Sequence, residues 1–209
     1  MCSVIGYYPI EPTGEAFYAF ERLFDQSRIR GMHSYGITAS LPGGLETYRS
    51  FDWREIPAKF CQERMTIAHC RYSQSGDFRV MANNQPIVVG ETALAHNGVI
   101  SMGTKSEYEA EFGVTCAVDN DSEIFLQKLK QGVDAAEFIQ SITGSFAATW
   151  LADGKLYAGH NVRRPLWKCV AHGAKWYAST EDIFKRAGFS DAEPVSVGVE
   201  VAWEGISNG

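Results

Sequence analysis

Short apolar runs and alternating apolar and polar positions dominate the chain, and both patterns are typical of β-strands. The first run, residues 2–8, ends at Pro9 and predicts a buried strand. The last segment, residues 195–203, alternates strictly and predicts one strand with four valines and Trp203 on a single face. Further strands are predicted at residues 35–40, 45–51, 65–72, 86–90, 91–98, 146–152, 155–160, 166–172 and 175–180.

Helical spacing marks the remaining segments. Phe17, Phe20 and Phe24 recur on one helical face, and Thr13 is the predicted N-cap of this helix. The other predicted helices cover residues 53–62, 105–112, 121–130, 134–142 and 181–188. Two strand-rich parts therefore flank a helical middle, without a repeat or a linker. The pattern predicts one α+β domain over residues 1–209, with two antiparallel sheets covered by helices.

Charge and hydropathy exclude several classes of partner. The formal net charge is -6 and no run is rich in Lys or Arg, which argues against a surface that follows nucleic-acid phosphates. No apolar stretch approaches the roughly 20 residues needed to span a bilayer. The N-terminus also lacks the basic and apolar regions of a secretory signal. We therefore expect neither nucleic acid nor a membrane as a partner.

The cysteines indicate a reducing compartment. The chain has five, an odd number, and none is paired in a C-x-x-C spacing. This argues against a disulfide framework and against a structural zinc site, so we expect a cytoplasmic protein without a metal or other cofactor. The cysteines are Cys2, Cys61, Cys70, Cys116 and Cys169.

Four short segments, and a fifth downstream, carry groups that could do chemistry. Each also has an ordinary explanation. Arg30-Gly31 could belong to a turn after a helix, and His96-Asn97-Gly98 could be a hairpin turn, since Asn-Gly favours one. Arg71 could be a solvated cation, and Asp121 could cap the helix that follows it. The segments are MCSVIGYY, RIRGMHSYGI, IAHCRYSQSGD, LAHNGVIS and DNDSEIF.

Together and in this order, the segments resemble the glutaminase domain of the class II glutamine amidotransferases, which are N-terminal-nucleophile hydrolases. In that family a mature N-terminal Cys and an apolar strand with Gly are followed by R-G-Y-D-S-A-G, A-H-T-R-W, H-N-G-I-I-x-N and D-T-E. Later segments at 144–167 and 177–184 are also similar in style to the closing strands of the family. The matching motifs are residues 2–6, 30–36, 68–72, 96–100 and 121–123.

The resemblance implies a four-layer αββα sandwich and a role for each motif. Cys2 would attack the side-chain amide of L-glutamine, and Asn97 with the Gly98 N–H would form the oxyanion hole. Arg71 would bind the α-carboxylate and Asp121 the α-ammonium of the substrate. The remaining family positions are Tyr72, Gln74, Ser75 and Gly76, which would line the substrate, and Arg30 and Gly31, which would shape the loop beneath the site.

The chemistry of Cys2 supports the resemblance independently. An α-amino group has a pKa of about 7.7–8.0, close to the value of about 8.5 for a thiol, so the amine can serve as general base. Once Met1 is removed, Cys2 carries both nucleophile and base, with a bridging water between them. Small second residues permit this removal, whereas a retained Met1 would block the amine. No separate His is then needed.

The chain departs from the family in the segment after Arg71. The family pattern R-W-A-T-H-G is R-Y-S-Q-S-G here, so Gln74 and Ser75 replace a Thr and a His that lie beside the substrate in relatives. The family stretch N-A-H-P is present only as Asn84-Gln85-Pro86. We therefore expect a glutamine-binding loop of different shape.

Three further interpretations stay open. An N-terminal-Cys acylase would hydrolyse other amides, such as bile-salt conjugates or penicillins, and would not need Arg71 and Asp121. A glutaminase-like fold could also be an inactive binding module. A papain-like Cys/His site at Cys61 or Cys70 is the third alternative, although Cys70 is expected to be a strand residue packed in the core.

The resemblance also implies a partner. Better-known relatives fuse this domain to a synthase domain that consumes ammonia, and 209 residues leave no room for one. We therefore expect ammonia to pass to a synthase subunit in trans, or else a glutaminase that acts alone. A homo-oligomer is compatible with either arrangement.

Overall fold

The computed structural model describes residues 1–11, 13–60, 63–73 and 75–202. Its strands alternate with helices much as the hydrophobic pattern predicts. The strands are β1 (Ser3–Pro9), β2 (Ser34–Leu41), β3 (Gly44–Ser50), β4 (Thr66–Arg71), β5 (Ile87–Val89), β6 (Thr92–Val99), β7 (Ser145–Ala152), β8 (Lys155–His160), β9 (Trp167–Ala171), β10 (Ala174–Ala178), β11 (Glu193–Pro194) and β12 (Gly198–Val201).

These strands form two antiparallel sheets. The first has seven strands in the order β11-β9-β10-β1-β4-β2-β3, and the second has five in the order β12-β8-β7-β6-β5. The α-helices are α1 (Glu15–Arg28), α2 (Lys105–Phe112), α3 (Glu123–Lys130), α4 (Ala135–Ser141) and α5 (Glu181–Arg186). No helix among the described residues has the length and apolar character needed to cross a bilayer.

Apolar side chains divide the molecule into four layers. Helices α1 and α5 pack on the outer face of the first sheet, where Phe20, Phe24 and Trp176 are buried. Helices α3 and α4 cover the second sheet, where Phe125 and Trp150 lie in edge-to-face contact at 5.2 Å. Each fully buried aromatic side chain of this kind contributes about 1.5–3 kcal/mol to stability. The αββα sandwich implied by the resemblance is confirmed.

The layer between the two sheets contains many small residues. Ala93 and Ala95 of β6 face Val4 and Ile67 of the first sheet across this layer. Gly6 of β1 lies so close to the second sheet that a Cβ atom there would be 2.8 Å from Thr149 Cγ2. The short side chains therefore let β1 and β6 approach each other. β1 begins at the candidate site and β6 ends there.

The prediction of one strand over residues 195–203 is wrong. Strand β11 pairs with β9 of the first sheet, whereas β12 pairs with β8 of the second. Gly198 has φ of +119°, which ends the extended run between the two. Val195 is accordingly buried, while Val197 is exposed. The chain crosses from one sheet to the other inside an apparently continuous alternation, and Trp203 lies outside the described residues.

Two helix predictions also need correction. The N-cap of α1 is Gly14, because the Thr13 hydroxyl instead donates to the His172 carbonyl at 3.2 Å. In the predicted helix 53–62, the described part forms two 3-10 turns, Trp53–Glu55 and Pro57–Lys59. Pro57 has no backbone N–H to donate, so an α-helix cannot continue through it.

A glycine in β2 controls how closely the segment 84–86 approaches the first sheet. A Cβ atom on Gly36 would collide with the Gln85 carbonyl oxygen and would lie 2.8 Å from Pro86 Cδ. A Cβ atom on Gly43, in the turn of the same hairpin, would meet nothing within 4 Å. Gly36 therefore permits a contact on which the wall of the site depends.

We predict that Gly36→Ala destabilises the protein by about 1–3 kcal/mol, because the new methyl group must displace backbone atoms. Gly43→Ala should change stability by less than about 0.5 kcal/mol, since its methyl group enters open space. Urea unfolding of both variants measures the difference. Equal stability of the two variants would show that segment 84–86 does not constrain β2.

Candidate active site

A cavity of about 230 Å³ opens beside the start of β1 and the ends of β4 and β6. Drug-sized ligands occupy pockets of about 300–1,000 Å³, so this cavity suits a small metabolite. Its walls include a nucleophile, a cation and an anion from separate segments of the chain. The lining residues with reactive or charged groups are Cys2, Arg71, His96, Lys105, Asp119 and Asp121.

Cys2 lies directly before β1, at the mouth of this cavity. Ser3 pairs with Cys70 of β4, so Cys2 stands beside the residues that follow β4. Its Sγ accepts a hydrogen bond from the Tyr72 N–H at 3.3 Å and lies 3.4 Å from the Tyr72 carbonyl oxygen, to which it can donate. Burial raises the pKa of the Cys2 thiol, while the Tyr72 N–H opposes this shift. The thiol is therefore protonated at neutral pH until a base takes its proton.

Two arginines contact the first two residues of the chain. Arg30 Nε donates to the Cys2 carbonyl oxygen at 3.3 Å. Arg164 Nη1 lies 3.4 Å from the thioether sulfur of Met1, which is itself exposed. Burial lowers the pKa of the Met1 α-amino group. The N-terminal environment thus favours a neutral amine.

Gly31 lies beneath β4, where a Cβ atom would collide with the Cys70 carbonyl oxygen. Arg30 and Gly31 form a turn after α1, as one alternative proposed, since their N–H groups donate to the carbonyls of Ser27 and Arg28. The turn nevertheless contributes to the site. It brings the Arg30 side chain to Cys2 and supports the end of β4.

Arg71, at the end of β4, is only 2% exposed, so its interpretation as a solvated cation is wrong. Both terminal nitrogens of the guanidinium donate to the protein. Nη1 binds the Asn84 Oδ1 at 2.6 Å and Nη2 binds the Ser73 Oγ at 3.2 Å. The other acceptors are the carbonyl oxygens of Asn83, Ser75 and Gly76.

Asp121 is likewise buried, with 3% of its surface exposed. Its Oδ2 accepts from the N–H groups of Ile100 at 2.7 Å and Ser101 at 3.3 Å, and its Oδ1 accepts from the Ser75 hydroxyl at 3.1 Å. Burial raises the pKa of this carboxyl, whereas these hydrogen bonds oppose the shift. The Asp121 side chain does not cap α3, because the N-cap is Ser122.

Asn97 and Gly98 lie inside β6 and not in a hairpin turn. They pair with Ala147 and Phe146 of β7. Gly98 lines the cavity, and a Cβ atom there would collide with the Ser145 carbonyl oxygen. The Asn97 side chain instead points between the sheets.

Asn97 reaches the first sheet through a shared hydroxyl. Its Nδ2 donates to the Ser179 Oγ at 3.4 Å, and the same oxygen accepts from the Val4 N–H at 2.9 Å. The side chain expected in the oxyanion hole is therefore linked to the strand that carries the nucleophile. Ser179 was not among the predicted site residues.

A buried polar network that sequence reasoning missed supports the back wall of the cavity. Gln85 Oε1 accepts from the His96 N–H at 2.6 Å, and Gln85 Nε2 donates to the Ser122 hydroxyl at 3.1 Å. The Ser122 hydroxyl also lies 2.8 Å from His96 Nδ1. The sequence feature that could have predicted this network is the stretch Asn84-Gln85-Pro86, which was interpreted above only as a departure from the family pattern.

Neither buried histidine of the site is a base at neutral pH. Burial lowers the pKa of His69 and of His96 to about 3. His69 Nε2 lies 3.0 Å from the His96 carbonyl oxygen, so the two residues also link β4 to β6. Both imidazoles are neutral and structural at physiological pH.

The remaining predicted residues line the segment after Arg71. The Tyr72 ring is 44% exposed and stacks on His33 at 4.8 Å, while its backbone contacts Cys2. Gly76 has φ of +61°, and a Cβ atom there would collide with the Asp119 carbonyl oxygen. Gln74 lies outside the described residues.

Comparison with known proteins supports the resemblance. No family model matches the chain. Over 161 residues it is 26% identical to the glutamine–fructose-6-phosphate aminotransferase (isomerizing) of Bacillus licheniformis, a match that covers 70% of this chain and 26% of that enzyme.

Two solved structures share the architecture. The glutamine phosphoribosylpyrophosphate amidotransferase of B. subtilis, complexed with ADP and GMP, has a TM-score of 0.72 at 18% identity over 96% of this chain. The chain has the fold of the class II glutamine amidotransferases. The allosteric regulatory enzyme of purine biosynthesis matches this amidotransferase fold with a TM-score of 0.69 at 20% identity over 93% of the chain.

The matched region is only part of each relative. The chain spans 26% of the curated enzyme and 48% and 44% of the two structures. The amidotransferase fold of this chain is therefore established. The activities of the longer relatives are attributed to this chain only as proposals.

We predict that the unfolding free energy falls as the pH decreases from about 6.5 towards 3. The folded state keeps His69 and His96 neutral with a pKa near 3, while the unfolded chain protonates them near 6.5. Each histidine then contributes a slope of up to about 1.4 kcal/mol per pH unit. In urea titrations between pH 7 and 4, His69→Gln should reduce the slope of the unfolding free energy against pH by up to about 1.4 kcal/mol per pH unit, which is the contribution of one histidine. A slope equal to that of the parent protein would contradict a neutral buried His69.

Proposed function

We propose that this domain is a glutaminase that hydrolyses the side-chain amide of L-glutamine to glutamate and ammonia. One observation carries the proposal: Cys2, Arg71, Gly98 and Asp121, which come from four distant segments of the chain, line the same small cavity. The amidotransferase fold supports it, since the matched relatives are named for glutamine-dependent reactions.

The nucleophile of the proposed reaction is the Cys2 thiol after removal of Met1. The freed α-amine takes the thiol proton through a water, and the thiolate attacks the amide carbon of glutamine. The C–N bond breaks, ammonia leaves with the transferred proton, and a γ-glutamyl thioester remains. Water then hydrolyses the thioester to glutamate. The neutral His69 and His96 support the amine as base, because no protonatable imidazole faces the thiol from β4 or β6.

Asn97 Nδ2 and the Gly98 N–H would stabilise the oxyanion of the tetrahedral intermediate. The link from Asn97 through Ser179 to the Val4 N–H supports this role, because it connects the donor to the strand of Cys2. Asn97 Nδ2 carries two N–H groups, so one can keep the bond to Ser179 while the other donates to the developing negative charge.

Arg71 and Asp121 would recognise the two charged ends of the amino acid. A buried cation and a buried anion on one cavity are costly to maintain, which favours a functional use for the pair. The cavity volume of about 230 Å³ also favours glutamine over bile-salt conjugates. These observations support glutaminase over the alternative of an acylase for larger amides.

The ammonia would pass to a synthase partner in trans. Free ammonia is lost to water, so a partner surface is expected to cover the cavity. The exposed apolar residues at its rim support such a contact, since Met102 is 86% exposed and Tyr72 is 44% exposed. The acceptor and the assembly remain part of the proposal.

We predict that Cys2→Ala abolishes glutamate production without loss of the fold, because it removes the nucleophile. Intact-mass measurement should show loss of Met1, and the electrophile diazo-oxo-norleucine should label Cys2 alone. Cys169→Ala is the matched control, because Cys169 is buried away from the cavity and should leave glutamate production unchanged.

The same experiment separates the alternatives. Full glutaminase activity of Cys2→Ala would refute the thiol mechanism. A retained Met1 without any labelling would favour the inactive binding module. Labelling of Cys2 with turnover of other amides, but not of glutamine, would favour the acylase.

We predict that Asn97→Ala lowers kcat for glutamine by about 10²–10³, with little change in KM, because it removes an oxyanion donor. Ser179→Ala should lower kcat by a smaller factor, since it removes only the hydroxyl that positions Asn97 and β1. Steady-state kinetics on variants with matched thermal stability measure the effect. An unchanged kcat for Asn97→Ala would contradict the proposed oxyanion hole.

A further inference from the structure

Ser75 contacts both groups that would recognise the amino acid. Its carbonyl oxygen accepts from Arg71 Nη2, and its hydroxyl donates to Asp121 Oδ1 at 3.1 Å. A single residue therefore bridges a cation and an anion that have no direct hydrogen bond to each other among the described contacts. The resemblance places a His in this position in the family, so the bridge belongs to the departure of this chain from the pattern.

The terminal nitrogens of Arg71 are saturated in this arrangement. Each carries two N–H groups. Nη1 donates to the Asn83 carbonyl and to Asn84 Oδ1, while Nη2 donates to the Ser75 carbonyl and to the Ser73 hydroxyl. A substrate carboxylate can reach these nitrogens only by displacing an acceptor, and the Ser75 carbonyl belongs to a residue that lines the cavity.

Asp121 is engaged in a similar way. Its Oδ2 is fixed by the backbone N–H groups of Ile100 and Ser101, which leaves Oδ1 as the oxygen for a ligand. The Ser75 hydroxyl occupies Oδ1. A substrate ammonium that uses both acceptor sites of Oδ1 must displace this hydroxyl.

We propose that Ser75 competes with the two charged ends of glutamine for Arg71 and Asp121, and thereby determines the affinity and the selectivity of the site. This inference rests on the proposed function, since it assumes that these two residues bind glutamine. The Ser75 carbonyl takes the place of the α-carboxylate, and its hydroxyl takes the place of the α-ammonium.

The competition favours ligands with both charges. A carboxylate and an ammonium form ion pairs with Arg71 and Asp121 in which both partners are charged, whereas in the hydrogen bonds of Ser75 only Arg71 or Asp121 carries a charge. A glutamine analogue that keeps the side-chain amide and the α-carboxylate but lacks the α-ammonium cannot replace the Ser75 hydroxyl on Asp121. Such a ligand can displace the Ser75 carbonyl from Arg71, but the Ser75 hydroxyl stays on Asp121. The site therefore binds this ligand more weakly than glutamine.

The test measures binding without turnover. Calorimetry compares Cys2→Ser with the double variant Cys2→Ser/Ser75→Ala, each titrated with L-glutamine and with glutaramate, which is glutamine without its α-amino group. Loss of the hydroxyl should tighten glutamine binding roughly tenfold, the usual scale for one hydrogen bond to a charged group. Glutaramate binding should not change, because this ligand does not compete for Asp121.

Two control variants check the cause. Ser75→Thr retains a hydroxyl and should restore the affinity of the Cys2→Ser background. Ser106→Ala removes an exposed hydroxyl outside the cavity and should leave both affinities unchanged.

Three other outcomes would contradict either the competition by Ser75 or the proposed function. Glutamine binding that is unchanged or weaker in the Ser75→Ala background contradicts the competition. Equal tightening of glutamine and glutaramate also contradicts it, because the effect would then not act through Asp121. Absence of glutamine binding in every variant, the Cys2→Ser background included, would refute the proposed function itself.

Discussion

The antiparallel pairing of β1 with β4 is the constraint on which the site depends. Its register places Ser3 opposite Cys70, so the residue before β1 meets the residues that follow β4. Cys2 consequently contacts the Tyr72 backbone, one position beyond Arg71. A slip of one residue would turn every β1 side chain to the other face and would move the thiol away from the cavity. Gly31 packs under the end of β4, where a Cβ atom would collide with the Cys70 carbonyl oxygen.

Arg71 combines a structural role with the proposed recognition role. Its guanidinium holds together the segment after β4 and the turn that contains Asn83 and Asn84. Removal of such a buried charge leaves several carbonyls without a donor, which is costly in itself. Loss of activity in an Arg71 variant would therefore mix misfolding with lost substrate binding. Ser75 offers a cleaner probe of recognition, because its hydroxyl can be removed while these contacts remain.

Local pattern was sufficient to predict most of the fold. Most strands and helices with strong hydrophobic periodicity formed as predicted, because each has one apolar face that must pack against the core. The prediction of one terminal strand failed for a physical reason: alternation defines a face but not a sheet. The chain changes sheets between Pro194, the last residue of β11, and Gly198, the first residue of β12, whose φ is +119°. Thr13 failed as a cap because a distant carbonyl, that of His172, competed for its hydroxyl.

The grouping of several predicted residues around one cavity agrees with the resemblance, but the hydrogen bonding of these residues was not predictable. The motifs brought Cys2, Arg71, Gly98 and Asp121 to one cavity, as the resemblance implied. The sequence could not show that Ser75 joins Arg71 to Asp121, nor that Gln85 and Ser122 fix His96. Such contacts join residues far apart in the chain, and any of several polar side chains could make them. Only the folded arrangement decides which partner is nearest.

The two sheets must also keep a fixed separation, because the proposed nucleophile and oxyanion donors belong to different sheets. Small residues set this distance, and buried hydrogen bonds between the sheets help to hold it. Among them, the Thr149 hydroxyl donates to the Ile5 carbonyl at 3.1 Å, and Asn97 reaches β1 through Ser179. Gly6 lies opposite Thr149, where any side chain would push the sheets apart. A larger residue in this layer would therefore separate Cys2 from Asn97 without touching either. The alanine-rich layer thus belongs to the geometry of the site as much as to the core.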